Sequence, residues 1–135
     1  MDPWQREAFG NAGRRHLREA NAAGLHTFFR DKAESVMPRL IAAARQFDVA
    51  FVDGDHRFDG VFIDVFFACR LVGPGKLIIV DDAKMPAVRK CAAFFTSSGI
   101  CAVETRSDLK ASEKFTLLRV LPDSDMRPWD HWVEF

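Results

Sequence analysis

The sequence predicts an α/β fold in which a mostly parallel sheet is covered by helices on both faces. Strand-length apolar runs alternate with helical segments as far as Gly99. Two of these runs, 48–52 and 77–80, stop abruptly at carboxylates, and the last two predicted strands follow each other without a helix between them. We therefore expect a closing antiparallel pair and, because ligands bind beyond the carboxyl ends of parallel strands, an acidic site at one sheet edge.

Composition limits the class of protein. The 135 residues fit one globular domain, with 48% hydrophobic and 28% charged residues. Nineteen basic residues balance nineteen acidic ones, so no basic field exists to bind a nucleic-acid backbone. The start lacks a secretory pattern, no apolar stretch approaches a membrane span, and the three cysteines show no Cys-x-x-Cys spacing. We expect a cytoplasmic protein with reduced cysteines and neither membrane nor nucleic acid as a partner.

The first half of the chain predicts two helices and two strands. Residues 5–23, rich in Ala, Arg and Glu, predict a helix that ends at Gly24 as its C-cap, and 25–29 predict a short strand. A second helix is predicted over 33–45, where apolar residues recur at helical spacing, and it is followed by the strand 48–52.

The second half continues the alternation. Residues 58–72 predict an amphipathic helix that ends at a Gly-Pro-Gly turn, followed by the strand 77–80. Pro86 starts a helix that stops at Ser97-Ser98-Gly99, and strands are predicted at 100–104 and 115–121 around a polar loop. The last segment, 122–135, predicts an irregular tail whose aromatic residues dock on an apolar surface of this chain or of a partner subunit.

The motifs resemble those of the class I S-adenosylmethionine-dependent methyltransferases. The run 47–56, which ends in Asp-Gly-Asp-His, resembles the fourth strand of that fold in one branch of the family. Asp64, the Leu-Val-Gly-Pro-Gly turn at 71–75 and the Ile-Ile-Val-Asp-Asp strand end at 78–82 continue the pattern in the same order. The resemblance implies a Rossmann-like methyltransferase domain over residues 1–121 and S-adenosylmethionine as cofactor.

The resemblance also implies that this chain starts inside the family domain. Its beginning, Asp2-Pro3-Trp4-Gln5, resembles the segment after the second strand, and no Gly-x-Gly-x-x-Gly occurs anywhere. The first strand of that fold is central, so its absence opens the middle of the sheet. We expect closure by the remaining strands, a partner that fills the gap, or a natural start upstream of Met1, and we favour the last. We expect weak or absent cofactor binding by this chain alone.

Metal and catalytic residues follow from the related metal-dependent O-methyltransferases. The resemblance assigns Asp53, Asp81 and Asp82 to Mg²⁺, a hard cation that prefers carboxylate oxygens and acidifies a bound hydroxyl. The alternative is that these acids cap helices or contact the cofactor. His56 stands where the catechol-type relatives place a Lys base, so it is the predicted catalytic base; alternatively, it is a structural histidine bonded to a strand-end carboxylate.

Cofactor contacts are assigned to four residues. The resemblance implies that Asp2 contacts the ribose hydroxyls and that the loop of Asp31 and Ala33 lies along the adenine. It also implies that Asp53 contacts polar parts of the cofactor. Asp55 is expected to point away from Asp53 as a turn or N-cap acid, and Asp64 is expected to be structural.

The function predicted from these residues is O-methylation of a small molecule with help from a divalent metal. One alternative is a non-catalytic methyltransferase-like module that forms homo-oligomers or binds a partner, compatible with the two Trp residues of the tail. A second alternative is a haloacid-dehalogenase-type phosphatase, suggested by Asp53-Gly54-Asp55 followed by Asp81-Asp82. Such enzymes normally place the second acidic pair far downstream, and the short spacing here opposes this alternative.

Overall fold

The apolar runs of the sequence form a four-stranded sheet with helices between the strands. The structure, a computed structural model, describes residues 1–105, 114–124 and 126–135. The elements are α1 (Gln5–Phe9), α2 (Ala12–Glu19), a 3₁₀ turn (Ala23–Leu25), α3 (Ala33–Ala42), β1 (Val49–Val52), α4 (Phe58–Val72), β2 (Leu77–Val80), α5 (Pro86–Ser97), β3 (Cys101–Val103) and β4 (Thr116–Val120).

The strands lie in the order β1-β2-β4-β3. β1 and β2 are parallel, with Val52 opposite Val80, while β4 runs antiparallel to both β2 and β3. The predicted antiparallel closing pair is confirmed, and its second strand lies between β2 and β3. The Rossmann-like α/β class predicted from the sequence is confirmed.

The core lies between the sheet and the helices α4 and α5, which pack against the same face of the sheet. Successive side chains of a strand point to opposite faces of the sheet, so every second residue of each strand faces this core. α3 packs on α4 rather than on a strand. The buried strand residues on this face are Val52, Ile78, Val80, Cys101, Leu118 and Val120.

The opposite face is open at β1, which is an edge strand among the described residues. Val49 is 54% exposed and Phe51 is 62% exposed. Apolar side chains of this size normally lie inside a sheet that is covered on both faces. β1 therefore presents an uncovered edge and an apolar patch in the described part of the chain.

The N-terminal predictions need correction. The helix predicted over 5–23 is two helices, because Gly10 and Asn11 both adopt left-handed backbone angles, with φ of 55° and 57°. The strand predicted over 25–29 is wrong, since Gly24 and Leu25 belong to a 3₁₀ turn and no strand lies between this turn and α3. Leu25 is 91% exposed, and although the Phe29 carbonyl accepts the Asp2 backbone N–H at 3.2 Å, no strand ladder forms over these residues.

Most other elements agree with their predictions within one to three residues. α3 stops at Ala42 rather than at residue 45 because Ala44 turns the chain with φ of 51°. The polar loop predicted between the last two strands lies mainly over 106–113, outside the described residues. No helix in the described part of the chain is long and apolar enough to span a membrane.

The tail has no regular element within its described residues. Its last residue, Phe135, packs edge-on against Phe94 at 4.8 Å between ring centroids and stacks on Phe58. Lys90 of α5 donates a hydrogen bond to the backbone oxygen of Phe135. Trp129, by contrast, is 98% exposed.

Candidate active site

The site lies where β1 and β2 end. Because the two strands are parallel and Val52 is opposite Val80, the residues that follow them reach the same edge of the sheet. The Asp81 backbone N–H donates to the Val52 carbonyl at 2.9 Å, which ties the two strand ends together. Asp53 follows β1 directly, and Asp82 lies two residues beyond β2.

Three side chains converge at this edge: Asp53, His56 and Asp82. Each offers one ligand atom, and these atoms all lie within 4.8 Å of one another. Asp53 is exposed, while the side chains of His56 and Asp82 are 37% and 40% exposed. The cluster is therefore open to a small molecule from solvent.

Within the cluster, His56 Nε2 lies 2.9 Å from Asp82 Oδ2. This approach lacks the direction of a hydrogen bond, and Nε2 is a buried atom with no hydrogen-bond partner among the described residues. Two ligands at right angles around an ion with bonds of about 2.1 Å lie about 3 Å apart. The contact therefore has the spacing of an ion pair and equally that of two ligands around one cation.

Asp82 joins the cluster with a backbone conformation that is uncommon for residues other than glycine. Its φ is 51°, in the left-handed region that Asp tolerates better than most residues. Asp81, the residue before it, is buried, and its carboxylate lies 3.4 Å from Lys114 Nζ. Of the acids predicted to bind metal, Asp53 and Asp82 are brought together, and His56 rather than Asp81 completes the cluster.

A comparison with known families identifies this fold. A family model described as a methyltransferase domain matches residues 1–83, more than half of the chain. The chain belongs to this methyltransferase family. The match ends just after Asp82, so it includes both acid-bearing strand ends. No curated protein matches the chain.

Asp55 of the methyltransferase domain lies in a turn and hydrogen-bonds within it, which agrees with one of the two roles predicted for it. It accepts the Arg57 backbone N–H at 2.9 Å and forms an ion pair with the Arg57 guanidinium. The Arg57 guanidinium lowers the pKa of Asp55 to about 2. A Cβ at Gly60 would lie only 2.5 Å from the Asp55 Cβ, so glycine is required for this turn to pack on α4. The sequence analysis did not single out Gly60.

Asp64 lies beneath the turn that carries the cluster. Its Oδ2 would be 3.0 Å from a Cβ at Gly54, so the carboxyl group packs against the glycine backbone. Burial, together with the charges of Glu34 and Asp55, raises the pKa of Asp64 to about 6, and the Met1 amino group opposes this shift. The start of the chain and the first turn of α3 thus both lie near this turn.

The predicted cofactor residues have local partners. Asp2 accepts the Trp4 backbone N–H at 2.8 Å and the Gln5 side-chain amide at 2.7 Å, so it holds the turn that precedes α1. Asp31 accepts the Lys32 N–H and an Arg39 N–H, at 2.9 Å and 3.1 Å.

Ala33 is the first residue of α3. Each carboxylate has about four acceptor sites, so Asp2 and Asp31 retain capacity for cofactor hydroxyl or amino groups. The polar residues near the chain start and α3 fit the acceptor role that a nucleoside requires.

His56 was predicted as a catalytic base and not as a metal ligand. A usable signal was present, because His56 lies three residues beyond Asp53 in a turn that returns over the end of β2. The contact of Asp81 with Lys114 had no signal in the sequence, since the two residues lie far apart along the chain.

Proposed function

We propose that the chain carries the acidic half of a methyltransferase site that methylates an oxygen of a small molecule with the help of a divalent cation. The supporting observation is the convergence of Asp53, His56 and Asp82 at the carboxyl ends of parallel strands in a methyltransferase domain. The methyltransferase family implies S-adenosylmethionine as the cofactor.

The cation would be held by Asp53, His56 and Asp82. Two carboxylates and one imidazole suit Mn²⁺ better than Mg²⁺, because imidazole is a ligand of transition metals, and the 2.9 Å separation of Nε2 and Oδ2 fits an ion that both atoms share. When bound, a divalent cation lowers the pKa of a substrate hydroxyl group. Asp81 would not bind the cation directly, because its carboxylate contacts Lys114 outside the cluster.

The cofactor would be held along the same edge by Asp2, Asp31, Ala33 and Asp53. Carboxylates at Asp2 and Asp31 can accept the ribose hydroxyls and a purine amino group, and the α3 terminus offers free backbone N–H donors. When bound, S-adenosylmethionine supplies a methyl group activated by its sulfonium charge. The acids near that position favour a cationic group through their charge.

A second arrangement gives His56 the role of catalytic base. Asp82, 2.9 Å from Nε2, would then stabilise the protonated imidazole after it takes the substrate proton. In this arrangement methyl transfer proceeds without added metal and depends on the neutral imidazole. Activity that persists in chelator but is lost in His56→Gln would favour the base.

The proposal is tested by calorimetric titration with Mn²⁺. We expect Asp53→Asn and Asp82→Asn each to weaken binding at least tenfold, since each removes a charged ligand. Asp59→Asn is the matched control, because Asp59 is an exposed acid of α4 outside the cluster, and it should bind Mn²⁺ as the natural chain does. Equal affinities in all four proteins would refute the metal site.

The cofactor is tested separately with S-adenosylhomocysteine, by saturation-transfer NMR that detects weak ligands. We expect a signal that Asp2→Asn reduces and that Asp123→Asn, a surface control in the tail, leaves unchanged. A strong signal that no substitution at Asp2 or Asp31 alters would show that these residues do not hold the cofactor.

A second candidate function, homo-oligomerisation, is favoured by the open edge of β1. Phe51 and Val49 form an exposed apolar patch beside backbone groups that have no strand partner in the described chain. If this edge pairs copies of the chain, light scattering will report a dimer that Phe51→Ser converts to a monomer. Phe9→Ser is the matched control, because Phe9 is also 62% exposed. A monomeric natural chain would rule this function out.

A further inference from the structure

A cavity of about 240 Å³ lies at the end of the sheet opposite the acidic cluster. It is bordered by residues that precede β1 and β2, such as Gln46 and Gly73, and by residues that follow β4, such as Ser124. These positions are the amino ends of the parallel strands, so the cavity is separate from the candidate active site.

Two arginines border the cavity. The Arg70 guanidinium lies over the Phe66 ring, 3.7 Å from its centroid, and donates to the Phe66 carbonyl at 3.1 Å. Arg127 donates its Nε–H to the Ser124 carbonyl at 2.8 Å. Each guanidinium has five N–H donors, so both keep donors that can face the cavity.

Neither arginine is neutralised within the described ranges. The other charged pairs near this end, such as Lys76 with Asp48 and Arg119 with Glu104, are matched, whereas Arg70 and Arg127 have no carboxylate partner among the described residues. Two fixed positive charges at one cavity make a potential that favours an anion. A planar guanidinium recognises carboxylate geometry particularly well.

Apolar residues form part of the remaining wall, beside the polar Gln46 and Ser124. Phe95, Ile100 and Val120 are each at most 7% exposed and border the cavity from α5, from the start of β3 and from the end of β4. The buried thiol of Cys69 completes this wall. A cavity of about 150 Å³ lined by apolar residues holds benzene, so the space here accommodates a ring with a short acidic arm.

We propose that this cavity is a second binding site, for a small aromatic carboxylate whose ring packs on the apolar wall and whose carboxylate pairs with Arg70 and Arg127. Gln46 lies at the rim, where its side-chain oxygen is the atom nearest Gly73. An inorganic anion lacks the apolar body, and a neutral aromatic alcohol lacks the charge, so each should bind more weakly.

The test uses phenylacetate as the probe, followed by amide chemical shifts of the whole chain. We expect saturable shifts at Gly73, Ile100 and Ser124 and none at Asp53. 2-Phenylethanol and inorganic phosphate should each bind at least tenfold more weakly than phenylacetate. Absence of saturable binding by phenylacetate, or shifts centred on Asp53, would overturn the proposal.

Variants separate the role of the arginines from non-specific binding. Arg70→Gln and Arg127→Gln should each weaken phenylacetate about tenfold, and Arg127→Lys should retain part of the affinity because it keeps the charge. Arg89→Gln is the matched control, since Arg89 is an exposed arginine of α5 that does not border the cavity. Unchanged affinity in both glutamine variants, or an equal loss in Arg89→Gln, would overturn the assignment.

Discussion

The first 32 residues and the segment from α3 to β3 differ in how they are held. No side chain before residue 33 is buried, whereas α4, β2 and α5 contribute most of the core. α1 and α2 depend on local hydrogen bonds and on surface ion pairs such as Arg30 with Glu7, which contribute little to stability. The family match, residues 1–83, includes the first region and the second as far as β2, so one domain combines a packed segment with a segment held mainly by its own local contacts.

The largest expected difference concerns two phenylalanines. Phe95 of α5 is 1% exposed, so Phe95→Ala should lower the free energy of unfolding by about 3–5 kcal/mol. Phe9 of α1 is 62% exposed, and Phe9→Ala should lower it by less than about 0.5 kcal/mol. Urea denaturation followed by circular dichroism measures both. Similar losses in the two variants would contradict the division between the regions.

A smaller difference is expected between two glycines. In Gly60→Ala the new Cβ would overlap the Asp55 side chain, so the free energy of unfolding should fall by about 1–3 kcal/mol and Mn²⁺ binding should weaken. Gly13 lies inside α2 with only the Gln5 side chain nearby, so Gly13→Ala should stabilise the chain by about 0.5 kcal/mol. Denaturant midpoints provide the measurement, and a stabilising Gly60→Ala would show that the Asp55 turn is not packed as described.

The smallest expected effect is a pH dependence from Asp64. Its pKa is raised from 3.8 to about 6 by burial, so the unfolded chain ionises first as the pH rises. The free energy of unfolding should therefore fall by about 1 kcal/mol between pH 4 and pH 6, after allowance for solvent screening. Asp55, with a pKa lowered to about 2, acts in a different window, since its contribution is lost only as the pH falls from about 4 towards 2.

Asp64→Asn should remove the Asp64 component, and the difference between the two curves isolates it. Denaturation of both proteins from pH 3 to pH 7 makes the measurement. An identical slope between pH 4 and pH 6 in the natural chain and the variant would contradict the burial of Asp64.

The same division explains how much the sequence could predict. Where burial decides structure, periodicity was informative: β2 has the predicted bounds, as do α4 and α5. In the N-terminal region no partner strand or core selects among local options, and the predicted strand at 25–29 is absent. Left-handed residues such as Asn11 and Ala44, which break or end helices, have only weak local signals.

The sequence predicted where the candidate site lies better than it predicted which residues form it. Parallel strands that end in acid predict one edge of the sheet, and Asp53 and Asp82 meet there. The orientation of two consecutive acids depends on a single backbone angle, the φ of 51° at Asp82, which the sequence does not specify. His56 joins the cluster because of the path of the turn after β1, and in that turn Asp55 packs closely against Gly60.

The most direct test of the site is pulsed electron paramagnetic resonance of the chain with bound Mn²⁺. A cation shared by Asp53, His56 and Asp82 should show a ¹⁴N coupling from one directly bonded imidazole, and His56→Asn should abolish this coupling while His131→Asn, a tail control, preserves it. Bound Mn²⁺ with no nitrogen coupling, or a coupling that survives the loss of His56, would contradict the account.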